Sequence, residues 1–212
     1  MDLYFSPMSC ALATRATLYE CGAPARFVQV DAHTKRTLEG DDYWRINPMG
    51  QVPALRTDDG WLLTENPAVL QHVAASYPQA CLLPEDLAGL SRVRQWLGFI
   101  GTELHKAVFV PLLDPKAGAE VKQYARDKLT LRMGLLQTHL QQQAHLVASY
   151  SVADIYLATV LNWAPYAGVD LAQWPAVQAY HQRQLQRPAL ARALREEFAL
   201  FQEEQTRRAR AT

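Results

Sequence analysis

Apolar residues follow two rhythms along this chain, and the change falls near residue 80. Before it they come in short runs broken by turn residues. Leu3-Tyr4-Phe5 has the length of a buried strand and is closed by Ser6-Pro7. Leu12, Ala13, Ala16, Leu18 and Tyr19 then fit a helix from Cys10 to about Cys21, ended by Gly22. Phe27 to Val30 predicts a second strand, while Asp31 to Ile46 is polar and irregular, with one short helix around Asp41–Arg45. Pro53–Arg56 and Trp61–Leu63 flank Asp58-Asp59-Gly60, which predicts an antiparallel hairpin. Asn66 is placed as the N-cap, with Pro67 at the first position, of a helix running to about Ser76.

Beyond a punctuated connector from Tyr77 to Pro84 no strand pattern remains. Val93, Trp96, Leu97, Ile100, Leu104, Ala107 and Val108 share one face of a helix over Ser91–Val110. Further helices are predicted at Val121–Gln143, Ser151 to about Tyr166, Trp174–Gln186 and Ala189–Phe201, the last two split by Arg187-Pro188. Ser151-x-x-Asp154 has the form of a capping box. The pattern predicts an α/β domain over residues 1–78 and an all-helical domain over 87–202.

Composition narrows the function without naming it. The chain has 212 residues, 49% of them hydrophobic, and 21 basic side chains balance 21 acidic ones. Zero formal charge argues against nucleic acid or an anionic membrane as a partner. Arg207, Arg208 and Arg210 read as a solvated tail. No apolar run approaches the roughly 20 residues of a membrane span, and Asp2 with Ser6-Pro7 breaks a signal-peptide pattern. Three cysteines, an odd number, fit a reducing, cytoplasmic setting better than a disulfide framework.

The candidate chemistry gathers around the loop Asn47-Pro-Met-Gly-Gln-Val-Pro-Ala-Leu-Arg56. With a cis bond at Val52–Pro53, Val52 presents its backbone N–H and C=O outward, where an extended peptide can pair as one more strand. Cys10 stands at a helix start, where unpaired N–H groups favour a thiolate over a free thiol of pKa ~8.5. Cys21 and Cys81 read as small buried hydrophobes. His105, with an ordinary pKa near ~6.5, suits proton transfer around neutrality. Glu65 and Asn66 precede a helix whose N–H groups can receive an anion, and the Glu65 carboxylate can meet an ammonium. Ser151 and Asp154 read as structural.

The element order, Gln51-Val52-Pro53-Ala54-Leu55, Glu65-Asn66 and Ser151-x-x-Asp154 together resemble the cytosolic glutathione transferases. Cys10 and Thr102-Glu-Leu-His105 resemble the bacterial beta class in particular. The resemblance implies a thioredoxin-like N-terminal domain, an all-helical C-terminal domain, glutathione as cosubstrate, a small apolar electrophile and a homodimer, with no metal. Cys10 then holds the glutathione sulfur and His105 stabilises or receives the thiol proton. Lys35, Gln51, Val52, Pro53, Glu65 and Asn66 bind the tripeptide. Ser9, Phe109, Tyr156, Trp163 and Tyr166 line an acceptor pocket between the domains, although the aromatic ones equally suit a helix core. Gly98 and Met49 depart from the beta-class pattern, which has asparagine and lysine at those places. Conjugation, thiol–disulfide exchange through Cys10, and a non-catalytic glutathione-binding or scaffold protein all remain open.

Overall fold

The structure is a computed structural model and describes residues 1–211, with side chains to residue 210. It divides into two compact units: Met1–Ala80 together with the segment from Pro188 onward, and Cys81–Arg187. The helical domain expected to end at residue 202 therefore gives up its last helix to the first unit.

The first unit is built on a four-stranded sheet in the order β2-β1-β3-β4: β1 (Asp2–Phe5), β2 (Arg26–Gln29), β3 (Ala54–Arg56) and β4 (Leu62–Thr64). β1 runs parallel to β2 and antiparallel to β3, and β3 and β4 form the hairpin. Alternation of side chains along the strands sorts the core into two faces. Tyr4, Val28 and Ala54 pack with Tyr43, from the loop between β2 and β3. Leu3 and Phe5 point the other way, and α1 (Ala11–Glu20) and α2 (Asn66–Ser76) are the helices packed on the sheet. Every residue of α1 from Ala11 to Leu18 is buried, because α1 packs against β1, α2 and α8 (Pro188–Ala211).

The expected short helix is a single 3₁₀ turn, Tyr43–Arg45, capped by the Asp42 carboxylate on the Trp44 N–H at 3.1 Å. The basic tail is helical, with Arg207 and Arg210 exposed as expected and Arg208 half-buried. Residues 202–211 continue α8, and Arg208 pairs with Glu204 one turn earlier and with Asp31 at 3.8 Å.

The second unit is all-helical. The helix expected at Ser91–Val110 is longer and changes pitch: α3 (Leu87–Phe99) passes into a π-helix (Ile100–Phe109) and then α4 (Val110–Leu113). In the wide segment N–H groups reach five residues back, as from Val110 to the His105 carbonyl. α5 (Ala119–Gln142), α6 (Val152–Leu161) and α7 (Pro175–Leu185) complete the unit. All ten residues of α6 are buried, as a mostly apolar helix allows, so α6 is the unit's core. Its polar members are bonded: the Thr159 hydroxyl donates to the Ile155 carbonyl at 2.9 Å, and Asp154 is the charged one. Its carboxylate accepts from the Leu146 N–H, the Ser151 N–H and hydroxyl (each 3.0 Å) and the Tyr180 hydroxyl (2.8 Å). The capping reading of Ser151 and Asp154 matches this geometry.

The described helices include none long and apolar enough to cross a membrane. A thioredoxin-like N-terminal domain followed by an all-helical one is the fold class.

Candidate functional site

In the first unit the register decides what comes together. Tyr4 pairs with Ala54, and Ala54 with Thr64. The residues just beyond that rung, Val52-Pro53 and Glu65, therefore emerge at one edge of the sheet, where β1 also gives way to the loop carrying Cys10. Cys10 caps α1, is 8% exposed, and donates its thiol hydrogen to the Val52 carbonyl at 3.3 Å. The Val52–Pro53 bond is cis, and the Val52 carbonyl faces this thiol. Only the protonated sulfur can make that contact. Ser9, expected to touch the acceptor, takes the Ala11 N–H on its hydroxyl at 3.2 Å and so serves the first turn of α1.

Asn66 requires a correction. Glu65, not Asn66, occupies the N-cap of α2, and Asn66 is the first helical residue. The Asn66 side chain is turned inward, donating to the Cys10 carbonyl and accepting from the Thr14 hydroxyl, both at 3.0 Å. A buried amide tying α2 to the base of the thiol's helix replaces the expected side-chain contact with ligand. Glu65 is exposed and has φ 66°, a backbone conformation costly for a residue with a side chain and concentrated at binding sites.

The loop before Val52 is held by Asn47, Gly50 and Lys35, which the sequence reading named, and by Tyr43 and Trp44, which it did not. The Gln51 carbonyl accepts from the Tyr43 hydroxyl and the Asn47 amide, each at 2.7 Å. Burial pushes the Tyr43 phenol up to about 12, so it donates throughout the working pH range. Gly50 has φ 59°, and a Cβ there would lie 2.6 Å from the Trp44 ring. Lys35 donates its ammonium to the Gly50 carbonyl at 2.9 Å. Met49 is 69% exposed on the same loop.

In the second unit His105 sits within the π-helix, 8% exposed. Its Nδ1 lies 2.8 Å from the Tyr156 hydroxyl, and its ring is 5.0 Å from that of Trp163, which in turn meets Phe109 at 6.1 Å. Burial, with a smaller push from Lys106, takes the imidazole down to about 4. His105 is thus neutral near pH 7, and the expectation of a proton acceptor titrating around neutrality gives way to a neutral hydrogen-bonding ring. Phe109 and Tyr156 are packed to 0% and 2% exposure, whereas Tyr166 is 64% exposed. The structure gathers His105, Phe109, Tyr156 and Trp163 into one cluster and leaves Tyr166 at the surface. A separate groove of about 770 Å³ on this unit is lined by Phe99, Glu103, Leu131, Arg132 and Leu135, none of them expected at a site.

The first unit thus places a helix-start cysteine beside a Val-Pro loop and a positive-φ acidic residue at one end of its sheet. Family models for the glutathione S-transferase N-terminal and C-terminal domains match residues 1–75 and 102–188. The chain is 39% identical over 196 residues to glutathione S-transferase GstA of Escherichia coli O157:H7, covering 92% of this chain and 97% of that protein. It is similar to the structure of a sphingomonad glutathione S-transferase complexed with glutathione (TM-score 0.89, 40% identity, 93% of this chain and 98% of that one). It is also similar to a bacterial beta class enzyme of Sphingomonas chungbukensis (TM-score 0.88, 40% identity, 93% and 98%). The chain belongs to the glutathione S-transferase family.

Proposed function

We propose that this protein is a beta-class glutathione transferase that conjugates glutathione to small apolar electrophiles, with thiol–disulfide exchange at Cys10 as a second activity. Glutathione is the cosubstrate. The observation that carries the reading is the Cys10 thiol at the start of α1, 3.3 Å from the Val52 carbonyl. The tripeptide lies extended along Gln51, Val52 and Pro53, pairing with backbone as an added strand would. Its glutamyl ammonium meets the Glu65 carboxylate, and its glutamyl carboxylate the N–H groups at the start of α2. The Lys35 ammonium, now on the Gly50 carbonyl, turns to the glycyl carboxylate. His105, neutral and hydrogen-bonded to Tyr156, orients a donor or acceptor without taking up charge. Trp163 and Tyr166 contact the acceptor.

In conjugation the glutathione thiolate forms a bond to an electrophilic carbon; with chlorodinitrobenzene, chloride leaves from that carbon. In exchange the Cys10 thiolate attacks one sulfur of oxidised glutathione, forming a mixed disulfide and releasing one glutathione thiolate. A homodimer is part of the same reading, supported by the exposed Leu131 and Leu135 beside the groove of the helical unit.

Retention on a glutathione column together with turnover of chlorodinitrobenzene is the expected result. Retention without turnover of any electrophile or disulfide points to the binding protein instead. Cys10→Ala removes the glutathione adduct seen by mass spectrometry after treatment with oxidised glutathione, and an unchanged adduct overturns the assignment of Cys10.

A further inference from the structure

The loop that delivers Cys10 is anchored from the far end of the chain. Between β1 and Cys10, Met8 adopts φ 61°, a left-handed conformation that a methionine takes only when its surroundings impose it. Its N–H donates to the Glu197 carboxyl on α8 at 2.8 Å, across 189 residues of sequence. Glu197 is 0% exposed. Its other oxygen lies 3.3 Å from the Arg15 Nε on α1. Arg15 is itself buried, its guanidinium against the rings of both Phe5 and Phe27 at 4.3 and 4.2 Å. Glu196 takes the other end of Arg15 at 3.4 Å, accepts from the Tyr19 hydroxyl and pairs with Arg192 at 2.8 Å.

A buried carboxyl is a costly way to fasten two helices, since apolar residues of similar volume do so at least as well. What apolar residues cannot do is accept a backbone N–H from a turn. We propose that Glu197 is a positioning residue for the Cys10 thiol: by accepting the Met8 N–H it holds the left-handed turn that fixes where α1 begins and which way the sulfur points. The inference rests on the reading of Cys10 as the reactive thiol. Glu197 lies beyond residue 188, where the family match to the C-terminal domain ends.

The charge of Glu197 is secondary to its acceptor. Burial pushes this carboxyl up to about 8 against the pull of Arg15 and the Met8 N–H. Glutamine carries no charge and still offers a carbonyl oxygen to Met8. Alanine offers none.

The test is the rate of Cys10 alkylation by iodoacetamide in the full-length protein from about pH 5 to about pH 9, read site by site by mass spectrometry. Glu197→Ala is expected to change the Cys10 rate by about fivefold, the scale of one net hydrogen bond. Glu197→Gln stays within about twofold of wild type by the same reasoning, and the exposed Cys81 is unaffected in both. The discriminating variant is Met8→Gly, because glycine adopts the left-handed turn unaided. Adding Met8→Gly to Glu197→Ala restores the wild-type Cys10 profile if Glu197 acts through the turn. A role confined to packing α8 against α1 is not rescued in this way.

A Glu197→Ala profile that superimposes on wild type overturns the proposal, as does an equal effect of Gln and Ala or a failure of glycine to rescue. If Glu197→Ala does not fold, Glu197→Asp, one methylene short of Met8, takes its place, and a wild-type Cys10 profile in that variant is equally fatal. The readout contains no glutathione. A protein that fails to bind or turn over glutathione, yet whose Cys10 rate follows Glu197, loses the functional reading and keeps this one.

Discussion

Cys10 and His105 are hidden to the same degree, each 8% exposed, but by opposite means. Cys10 lies under polar backbone: the Val52 carbonyl receives its hydrogen, and the Asn66 amide holds its own carbonyl. His105 lies under rings, with Tyr156 and Trp163 against it and one hydroxyl to bond. A group covered by backbone can exchange those partners for a peptide ligand's, and its reactivity then depends on what arrives. A group covered by aromatic rings loses its charge, here to a pKa of about 4, and keeps only a hydrogen bond. Equal burial produces a replaceable environment in one unit and a fixed one in the other.

The fixed environment depends on α6, which carries Tyr156, and α6 is anchored by Asp154. Asp154→Ala removes the partner of two N–H groups and two hydroxyls at a wholly buried position. It is expected to cost about 3–5 kcal/mol in denaturant unfolding. A loss below about 1 kcal/mol breaks the claim that this unit is held rigid from α6.

The next test is acid. His105 has an ordinary pKa of 6.5 when unfolded and about 4 in the fold. Below pH 6.5 the unfolded chain takes up a proton that the folded protein refuses. Stability is therefore intact above 6.5 and falls as pH drops toward 4, by on the order of 2–3 kcal/mol from this group. His181, also at about 4, adds its own share. His105→Gln is expected to flatten part of that slope in urea melts between pH 7 and 4, and an unchanged slope contradicts the dry setting assigned to His105.

For the replaceable environment, Asn66→Ala strands the Thr14 hydroxyl and takes one of two donors from the Cys10 carbonyl, which keeps the Ala13 N–H at 3.2 Å. It is expected to cost about 1–3 kcal/mol in thermal or urea unfolding. No loss there means that the amide does not brace the thiol's helix. The smallest effect is at Gly98, in α3 just ahead of the π-helix. An added methyl meets nothing within 4 Å, so Gly98→Ala is expected to stabilise by about 0.5–1 kcal/mol. Destabilisation instead makes the flexibility of glycine part of how the helix widens around His105.

The elements were legible where a local signal fixed them. The strand at Leu3–Phe5, the hairpin around Gly60 and the helix after Glu65 each appear within a residue or two of the sequence reading. The cap of α2 was read one residue late because Asn66, a good cap by type, is drawn inward by Thr14 and Cys10, and that bond spans 52 residues or more. The positive φ of Glu65 had no local signal, since glutamate is not a turn residue. Periodicity found the helix that carries His105 but not its π segment, because widening alters hydrogen bonding more than the apolar pattern. The aromatic residues of the helical unit were read as suiting either a pocket or a core. Phe109 and Tyr156 are buried and Tyr166 is exposed, a difference that the apolar pattern does not carry.

Because α8 completes the first unit, the order of synthesis and the order of assembly differ. A ribosome that has released residues 1–187 has delivered the whole Cys81–Arg187 unit, and that unit is contiguous and able to close. The sheet made earlier is still waiting. Arg15 lies against its two phenylalanines with neither glutamate yet made, and the Met8 turn has nothing to donate to. Of the two units, the one that carries the thiol starts to emerge before the other and is completed after it.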